Sequence, residues 1–286
     1  MTRNEKFKKL IENPGIVVAP GVYDAIGARL VQKIGFDACY MGGNASVASS
    51  LGYPDIGLAT MTEMVRLASN LTSCIDIPLI CDSDNGYGGL NNVRRAVQSF
   101  EKAGVSAIHI EDQVFPKRCG AMQGVKLISD DEAIERVKIA VKSKTDPNFL
   151  IIARTDARRV YGLDEAIRRA KLFADAGADI VFLEQLESKE EIFKVTTSIN
   201  NAPVMYDILE ETRDLIFSVK DLENLGVKVC IFALSTVLYI SQKLEIILQK
   251  IRDTGTTIDL YDEMMKLHDY ESLMGLQSHN SIRDLL

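Results

Sequence analysis

The stretch Gly104-Val105-Ser106-Ala107-Ile108-His109-Ile110-Glu111-Asp112 contains the unit that decides the fold of this chain. Gly104 follows an amphipathic stretch of helical period, residues 91–103, and glycine favours the left-handed conformation in which helices commonly end. A run of apolar and β-branched residues, Ala107–Ile110, begins three positions later and is continuous rather than alternating. Such a run predicts a short strand that is buried on both faces. The unit is therefore a helix, a tight turn and a buried strand with acidic residues directly after it.

The same unit recurs along the chain. The junction is repeated at Gly35-Phe36-Asp37, Gly177-Ala178-Asp179 and Gly226-Val227-Lys228. Eight runs have the length and composition of strands: Ile16–Ala19, Asp37–Met41, Pro78–Cys81, Ala107–Ile110, Phe149–Ala153, Asp179–Leu183, Pro203–Tyr206 and Lys228–Ala233. Strands that alternate with helices form a parallel sheet, and eight is the number that closes a barrel. The sequence therefore predicts an α/β protein with a (β/α)8 TIM-type barrel, and an open doubly wound sheet is the alternative.

The length of the chain agrees with one domain. A barrel of this type uses about 250 residues, and the chain has 286 without a linker or low-complexity segment. We therefore expect a single domain over residues 1–286. Residues 241–286 contain more helical sequence than the eighth barrel helix requires. We expect them to form a C-terminal helical extension of the same domain that packs on a neighbouring subunit.

Composition excludes several classes of partner. The chain has 33 basic and 40 acidic residues, a net charge of −7, whereas nucleic acids and anionic membranes attract basic surfaces. The N-terminus lacks the apolar segment of a signal peptide, and no apolar run approaches the roughly 18 residues of a membrane span. The five cysteines include no CxxC pair, so neither a zinc site nor a disulfide framework is predicted. We expect a cytoplasmic protein with no nucleic-acid or membrane partner.

Polar residues follow the predicted strands at the positions where a parallel barrel places its active site. They are Gly42, Gly43, Asn44, Asp82, Asp84, Glu111, Arg154, Glu184 and Asp207. Asp82 and Asp84 are two residues apart, so their side chains point the same way along a strand. Carboxylate oxygens in a chain with only three histidines favour Mg²⁺ over zinc, with Mn²⁺ as an alternative. An Asp-x-Asp pair alone also fits a helix cap, but Glu111 on the next strand favours the metal interpretation.

The segment Lys117-Arg118-Cys119-Gly120 lies in a predicted loop over residues 113–126 that is long for a barrel connection. Two neighbouring cations predict a lowered pKa for the Cys119 thiol and a thiolate at neutral pH. Gly120 adds conformational freedom. The alternative is an incidental loop cysteine beside solvated charges.

Several motifs resemble one known family. They are Tyr23-Asp24-Ala25, Ser50-Leu51-Gly52-Tyr53-Pro54-Asp55-Ile56-Gly57, Asp82-Ser83-Asp84-Asn85-Gly86-Tyr87-Gly88, Ile110-Glu111-Asp112-Gln113, Pro116-Lys117-Arg118-Cys119-Gly120 and Ile151-Ile152-Ala153-Arg154-Thr155-Asp156. In this order and spacing the chain is similar to the isocitrate lyase/phosphoenolpyruvate mutase superfamily. It is most similar to the methylisocitrate lyase-like members, which include lyases of 2-alkylmalates such as dimethylmalate.

The resemblance implies a Mg²⁺-dependent carbon–carbon lyase. Its substrate would be a 2-hydroxy di- or tricarboxylate, cleaved through an enolate to an α-keto acid and a carboxylate. Members of this kind form homotetramers, as dimers of dimers, and exchange their last barrel helix between subunits. The resemblance therefore also implies a homo-oligomer with a small carboxylate as its ligand.

The resemblance assigns roles to individual residues. Asp84 would coordinate Mg²⁺ directly, and its water ligands would be held by Asp55, Asp82 and Glu111. The substrate would be bound by the loop residues Gly42, Gly43, Asn44, Lys117, Gly120 and Asp207, with the backbone amides of Gly43 and Asn44 on a carboxylate. Arg154 would pair with a carboxylate and with the developing enolate, and Glu184 would complete the polar wall. Cys119, on a mobile loop, would be the acid/base.

Four positions depart from the lyase pattern. Ala121, Gly42, Asp207 and Leu238 stand where the lyases have His, Ser or Thr, Asn and Arg. Asp207 and Leu238 remove attraction for a distal carboxylate, because neither supplies a positive charge. A dicarboxylate that resembles an alkylmalate is therefore favoured over a tricarboxylate.

Three other functions remain open on the sequence. A phosphonopyruvate hydrolase or phosphoenolpyruvate phosphonomutase would share the metal site, but such enzymes carry asparagine-type residues in the loop that here holds Cys119. An oxaloacetate decarboxylase would share the Gly42-Gly43 opening and lack the cysteine. A catalytically retired barrel is the non-enzymatic alternative, although every predicted metal-site acid is present. His109, within a predicted strand, points to the same face as Glu111 and is interpreted as a core residue, with contact to the site as the alternative.

Overall fold

The structure is a computed structural model that describes residues 1–208, 210 and 213–277. Within these residues eight strands are present: β1 (Val17–Pro20), β2 (Cys39–Met41), β3 (Leu79–Asp82), β4 (Ala107–Glu111), β5 (Leu150–Thr155), β6 (Ile180–Leu183), β7 (Val204–Asp207) and β8 (Val229–Phe232). Each corresponds to one predicted run, with ends shifted by one or two residues. All are buried for most of their length, which explains why their sequences do not alternate.

The strands form one parallel sheet that closes on itself. The order is β1-β8-β7-β6-β5-β4-β3-β2. The remaining seam lies between β1 and β2, where Gly21 and Tyr40 form a parallel bridge and the amide of Val22 donates to the carbonyl of Tyr40 at 2.7 Å. The predicted parallel barrel is thus confirmed, and the open sheet is not observed.

Helices surround the sheet. The described helices are α1 (Arg3–Glu12), α2 (Ala25–Ile34), α3 (Gly43–Leu51), α4 (Met61–Thr72), α5 (Leu90–Lys102), α6 (Asp130–Ser143), α7 (Ala157–Tyr161), α8 (Leu163–Asp175), α9 (Lys189–Ser198), α10 (Val219–Asn224), α11 (Ser235–Thr254) and α12 (Leu267–Leu273), with 3-10 turns at Arg213–Leu215 and Ile258–Glu263. The glycines of the four repeated junctions have φ between 82° and 101°, the left-handed region that only glycine enters readily. This conformation lets each helix end and the next strand begin within three residues.

The interior of the barrel is filled from one end. Phe7 of α1 is fully buried and packs in one cluster with strand residues such as Val17, Leu150 and Val229, each at or next to the start of its strand. Helix α1 therefore closes the amino ends of the strands. Polar side chains are left at the carboxyl ends, where a parallel barrel forms its sites.

The C-terminal helices differ in their packing, since α12 contacts α2 while α11 leaves its apolar face uncovered. Every residue of α11 lies in the described range, and none is buried, although the helix exposes large apolar side chains such as Tyr239, Leu244 and Leu248. The extension expected over residues 241–286 thus begins within α11, and its last nine positions, 278–286, lie outside the described residues. None of the described helices has the length and apolar composition to cross a membrane.

Candidate functional site

The carboxyl ends of the strands enclose a cavity of about 40 Å³. Its lining comprises Tyr40, Gly42, Gly43, Asn44, Ala45, Asp55, Asp82, Lys117, Cys119, Gly120, Ala121, Arg154, Glu184, Asp207, Ala233 and Leu234. Every predicted site residue is in this lining except Asp84 and Glu111. These two lie directly behind it, where Asp84 contacts Lys117 and Glu111 lies 3.6 Å from Arg154. The fold thus brings site residues that are far apart in the sequence, from Gly42 to Asp207, into one cavity.

Asp82 organises the backbone at its end of the cavity. It is the last residue of β3, and its Oδ1 accepts a hydrogen bond from the amide of Asp84 at 2.8 Å. Its Oδ2 accepts one from the amide of Gly43 at 3.0 Å. A Cβ added at Gly43 would lie only 2.7 Å from this oxygen, so the close approach requires glycine. The backbone N–H of Gly43, which is predicted to bind substrate, therefore donates its hydrogen bond to Asp82 in this structure.

Lys117 reaches the same cluster from the loop. Its side chain is 2% exposed, and its Nζ lies 2.5 Å from Oδ1 of Asp84 and 2.8 Å from both carboxylate oxygens of Asp55. The loop ammonium therefore neutralises two of the predicted metal-site acids. The loop that carries Lys117 and Cys119 thus forms one wall of the cavity.

The carboxylates behind the lining are poorly matched with donors. Both carboxylate oxygens of Glu111 are buried without a hydrogen-bond partner among the described residues. Burial raises the pKa of Glu111 well above its usual value, although the positive charge of Arg154 opposes the shift. Burial, aided by repulsion from Asp82, likewise raises the pKa of Asp84 to about 7 against the attraction of Lys117. Such unsatisfied acids are unstable as anions unless a further cation or donor joins them.

Arg154 supplies a positive charge to the cavity from the end of β5. It belongs to β5, and its Nη2 lies 2.8 Å from Asp156 and 3.5 Å from Glu184. Burial alone would lower the pKa of Arg154, but these acids hold it well above its usual value. The guanidinium is therefore a permanent, fixed positive charge at the cavity.

Cys119 lies in the covering loop with its side chain in the cavity. Its amide donates to the carbonyl of Asp55 at 3.0 Å, and its Sγ accepts a hydrogen bond from Nδ2 of Asn44 at 3.6 Å. Burial raises the pKa of the thiol to about 11. The predicted lowering of this pKa is therefore wrong for the closed loop. The physical reason is that the thiol is desolvated, while the Lys117 ammonium is directed to Asp55 and Asp84.

The departures from the lyase pattern have different locations. Gly42, Ala121 and Asp207 line the cavity, whereas Leu238 is not among the lining residues and is 50% exposed on α11. Asp207 ends β7, and its Oδ1 accepts a hydrogen bond from the amide of Ala233 at 3.3 Å. Burial and the nearby Glu184 raise its pKa well above the usual value.

Sequence reasoning missed several residues of the cavity. Ala233 and Leu234 directly follow β8, so the rule that identified the other strand ends would have found them. Tyr40 lies within β2, and its hydroxyl meets Nε2 of His109 at 2.8 Å in the barrel interior. No sequence signal distinguished Tyr40 from a packing residue. His109 is fully buried, as its core interpretation requires.

Comparison with known proteins identifies the class of the fold and site. Residues 7–252 match the family model described as phosphoenolpyruvate phosphomutase. The chain belongs to this family, the phosphoenolpyruvate mutase/isocitrate lyase superfamily.

Particular relatives are similar over nearly the whole chain. A 2,3-dimethylmalate lyase from Eubacterium barkeri is 38% identical over 277 residues, which are 97% of this chain and 96% of the relative. A 2-methylisocitrate lyase from Aeropyrum pernix is also 38% identical, over 96% of this chain and 87% of the relative. A solved structure of oxaloacetate acetylhydrolase with 3,3-difluorooxalacetate has a TM-score of 0.92 at 32% identity and covers 99% of this chain and 96% of its own.

These similarities confirm the predicted superfamily, the barrel fold and a relationship to carbon–carbon lyases. The roles of the site residues, the metal, the oligomer and the domain boundaries stay predictions.

Proposed function

We propose that this chain is a Mg²⁺-dependent carbon–carbon lyase that cleaves a 2-hydroxy dicarboxylate to an α-keto acid and a carboxylate. The observation that carries the proposal is that a loop thiol, Cys119, and a buried carboxylate cluster meet in one cavity at the carboxyl ends of the strands. A thiol can move a proton, and the cluster can hold a cation that stabilises an enolate. Both are needed when a carbon–carbon bond breaks and leaves an electron pair on carbon.

The donor set of the cluster suits a magnesium ion. Both carboxylate oxygens of Glu111 lack a hydrogen-bond partner among the described residues, and Asp55 and Asp84 together hold the Lys117 ammonium, which supports their capacity to hold a cation. The resemblance to the superfamily assigns direct coordination to Asp84 and water-mediated contacts to Asp55, Asp82 and Glu111, a mode common for Mg²⁺. Bound there, Mg²⁺, or Mn²⁺ in its place, would supply electrostatic stabilisation to an enolate oxygen.

The protein groups around the cation support the same chemistry. Arg154, fixed by Asp156 and Glu184, would bind a substrate carboxylate and the developing enolate charge. In the cleavage step the 2-hydroxyl would pass its proton to a carboxylate of the cavity wall, such as Glu184, and its oxygen would become the keto oxygen. The electron pair of the broken bond remains on the departing fragment as an enolate. The S–H of Cys119 would then donate its proton to that carbon, a role that the raised pKa of the thiol favours.

The cavity wall supports a dicarboxylate substrate. Its two cations, Lys117 and Arg154, are already paired with acids. The other part of the lining holds Ala121, Leu234 and the carboxyl of Asp207, which offer a third carboxylate no positive charge. An uncompensated charge in a buried site is strongly unfavourable. An alkylmalate-like dicarboxylate, with an apolar group in place of the third carboxylate, fits this wall.

An oligomer is part of the proposal. An apolar groove of about 950 Å³ runs along β1 and α2 beside the start of α11, where the eighth helix of a barrel would pack. Apolar residues such as Ile26, Leu30 and Phe36 line it, while α11 of the same chain leaves its apolar face exposed. Exchange of α11 between two subunits would cover both surfaces. This supports a homo-oligomer, built as a dimer of dimers.

A substrate screen tests the function. The chain is incubated with 2,3-dimethylmalate, 2-methylisocitrate, isocitrate and oxaloacetate, with and without Mg²⁺, and pyruvate, glyoxylate and oxalate are measured. We expect pyruvate from the alkylmalate at a rate well above that from the tricarboxylates, and no turnover in EDTA. Release of none of these products from any hydroxy acid would reject the lyase. Phosphonopyruvate, with phosphate as readout, tests the phosphonate alternative in the same plate.

A further inference from the structure

The Cys119 thiol is held in place from two sides. Its main chain is fixed within the closed loop, since its amide donates to Asp55 at 3.0 Å and its carbonyl accepts from the amide of Met122 at 2.8 Å. These bonds fix the backbone but leave the side-chain torsion free. A further hydrogen bond reaches the sulfur itself, from the side-chain amide of Asn44 at 3.6 Å.

Asn44 belongs to the fixed rim of the barrel rather than to the loop. It is the second residue of α3, which follows β2 directly. The preceding residue, Gly43, is anchored to Asp82 at 3.0 Å and has no space for a side chain on that face. The Asn44 amide therefore occupies a defined position on the barrel rim. The loop holds Cys119 against it, with Sγ 3.6 Å from Nδ2 of Asn44.

The Asn44 amide influences where the proton of the thiol points. A thiol has one S–H and a sulfur that acts as a weak acceptor. When the amide hydrogen of Asn44 approaches the sulfur, the S–H turns away from it. The sulfur also faces the cavity that contains Arg154 and Glu184, so this space is available to the thiol hydrogen.

We infer that the side chain of Asn44 is a positioning residue that orients the Cys119 thiol for proton transfer, a role that rests on the proposed lyase function. It is distinct from the predicted contact of the Asn44 backbone amide with substrate. A misplacement of about 1 Å in a reacting group can reduce turnover by about 10²-fold. Loss of the side-chain amide therefore affects kcat rather than substrate affinity.

Three variants separate this role from general structural effects. Asn44→Leu keeps the size and removes the donor, Asn44→Gln moves the amide outward by one methylene, and Asn44→Asp replaces the donor with an acceptor. With 2,3-dimethylmalate and Mg²⁺ we expect Asn44→Leu to lose about 10- to 100-fold in kcat, with KM changed less than about twofold. Asn44→Gln should recover part of the loss. Asn44→Asp should be at least as impaired as Asn44→Leu, and normal activity there would show that the amide accepts the S–H instead.

A double-mutant cycle provides the decisive measurement. In a Cys119→Ser background, Asn44→Leu should reduce kcat no further, because the group that it orients is gone. Ser49→Ala, on the exposed face of the same helix, is the matched control and should leave kcat and KM unchanged. Equal losses from Asn44→Leu in both backgrounds, or a loss confined to KM, would overturn the positioning role.

The same data separate this inference from the proposed function. If Cys119→Ser is inactive and Asn44→Leu is fully active, only the role of Asn44 is rejected. If Cys119→Ser turns over substrate normally, the lyase mechanism itself is rejected. Thermal melting of each variant checks that the fold is retained, and Asn44→Gln serves as the second variant if Asn44→Leu is unstable.

Discussion

The Nζ atom of Lys117 lies 2.5 Å from Oδ1 of Asp84, and the two side chains are only 2% and 8% exposed. A residue of the covering loop thus supplies positive charge to an acid behind the active-site lining. Closure of the loop and the charge balance of the acidic cluster are therefore linked. A variant that removes this ammonium should affect both.

Lys117→Met tests the link through stability. Removing one partner of a buried ion pair costs about 3–5 kcal/mol, because the other charge is left uncompensated. In EDTA the variant should melt at a lower temperature than the wild type, and saturating Mg²⁺ should raise its Tm by more than it raises that of the wild type. Lys194→Met, which removes an exposed pair with Asp164, is the control. Equal melting temperatures of Lys117→Met and wild type in EDTA would contradict the link.

Asp84→Ala tests the metal assignment. The variant should lose turnover while it keeps its fold, because Asp84 lies at the strand ends rather than in the apolar core. Mg²⁺ titration by calorimetry should show no specific binding. Asp164→Ala, at an exposed position, should behave as wild type. Full activity of Asp84→Ala in metal-free buffer would reject the site.

Cys119→Ser tests the acid/base. Serine preserves the shape but holds its proton far more tightly, so we expect kcat to fall by about 10²–10⁴-fold with similar substrate affinity. Near-normal kcat would favour the phosphonate or decarboxylase alternatives.

Alkylation by iodoacetamide gives a second measurement on the same thiol. The thiolate is the reactive form, and the closed loop raises the pKa of Cys119 to about 11. Product with Mg²⁺ should therefore protect the enzyme by stabilising the closed loop. Without product, inactivation should become faster as the pH rises, because a larger fraction of the thiol is ionised. Faster inactivation in the presence of product would contradict this assignment.

Asp207→Asn tests substrate selection. Its carboxyl lies in the cavity wall beside Glu184 and would repel a third carboxylate whenever it is ionised. A neutral amide removes the repulsion, so at a pH above the raised pKa of Asp207 the kcat/KM for 2-methylisocitrate relative to 2,3-dimethylmalate should rise about tenfold, in the range that one pocket contact provides. Asp214→Asn, on the surface, is the control. An unchanged ratio would show that Asp207 does not select the substrate.

Light scattering tests the assembly. The apolar groove beside β1 and the exposed apolar face of α11 predict a homo-oligomer at micromolar concentration. A double variant, Leu244→Asp with Leu248→Asp, should have a lower mass, because it places charges in the buried contact. Lys220→Ala, an exposed position on α10, should keep the wild-type mass. A monomeric wild type would refute the prediction.

The sequence by itself determined the barrel and the residues at its rim. Glycines at helix ends and continuous apolar runs are local signals, because a left-handed turn and a doubly buried strand restrict composition directly. Eight such strands leave few topologies. The carboxyl ends of parallel strands meet at one edge, so positions such as Asp82, Glu111 and Arg154 were identified from their place in the chain alone.

Only the tertiary structure decided the pairing and the protonation of these groups. The position of Lys117, two residues before Cys119, predicts a lowered pKa for the thiol. The folded loop instead directs the Lys117 ammonium to Asp84 and buries the thiol, so the pKa of Cys119 rises. The contact of Asn44 with Cys119 joins residues 75 positions apart and has no sequence signal. The burial of a side chain and the direction in which it points depend on the residues that the rest of the chain places around it. The residues of the site are therefore set locally, and their chemistry is set by the closed barrel.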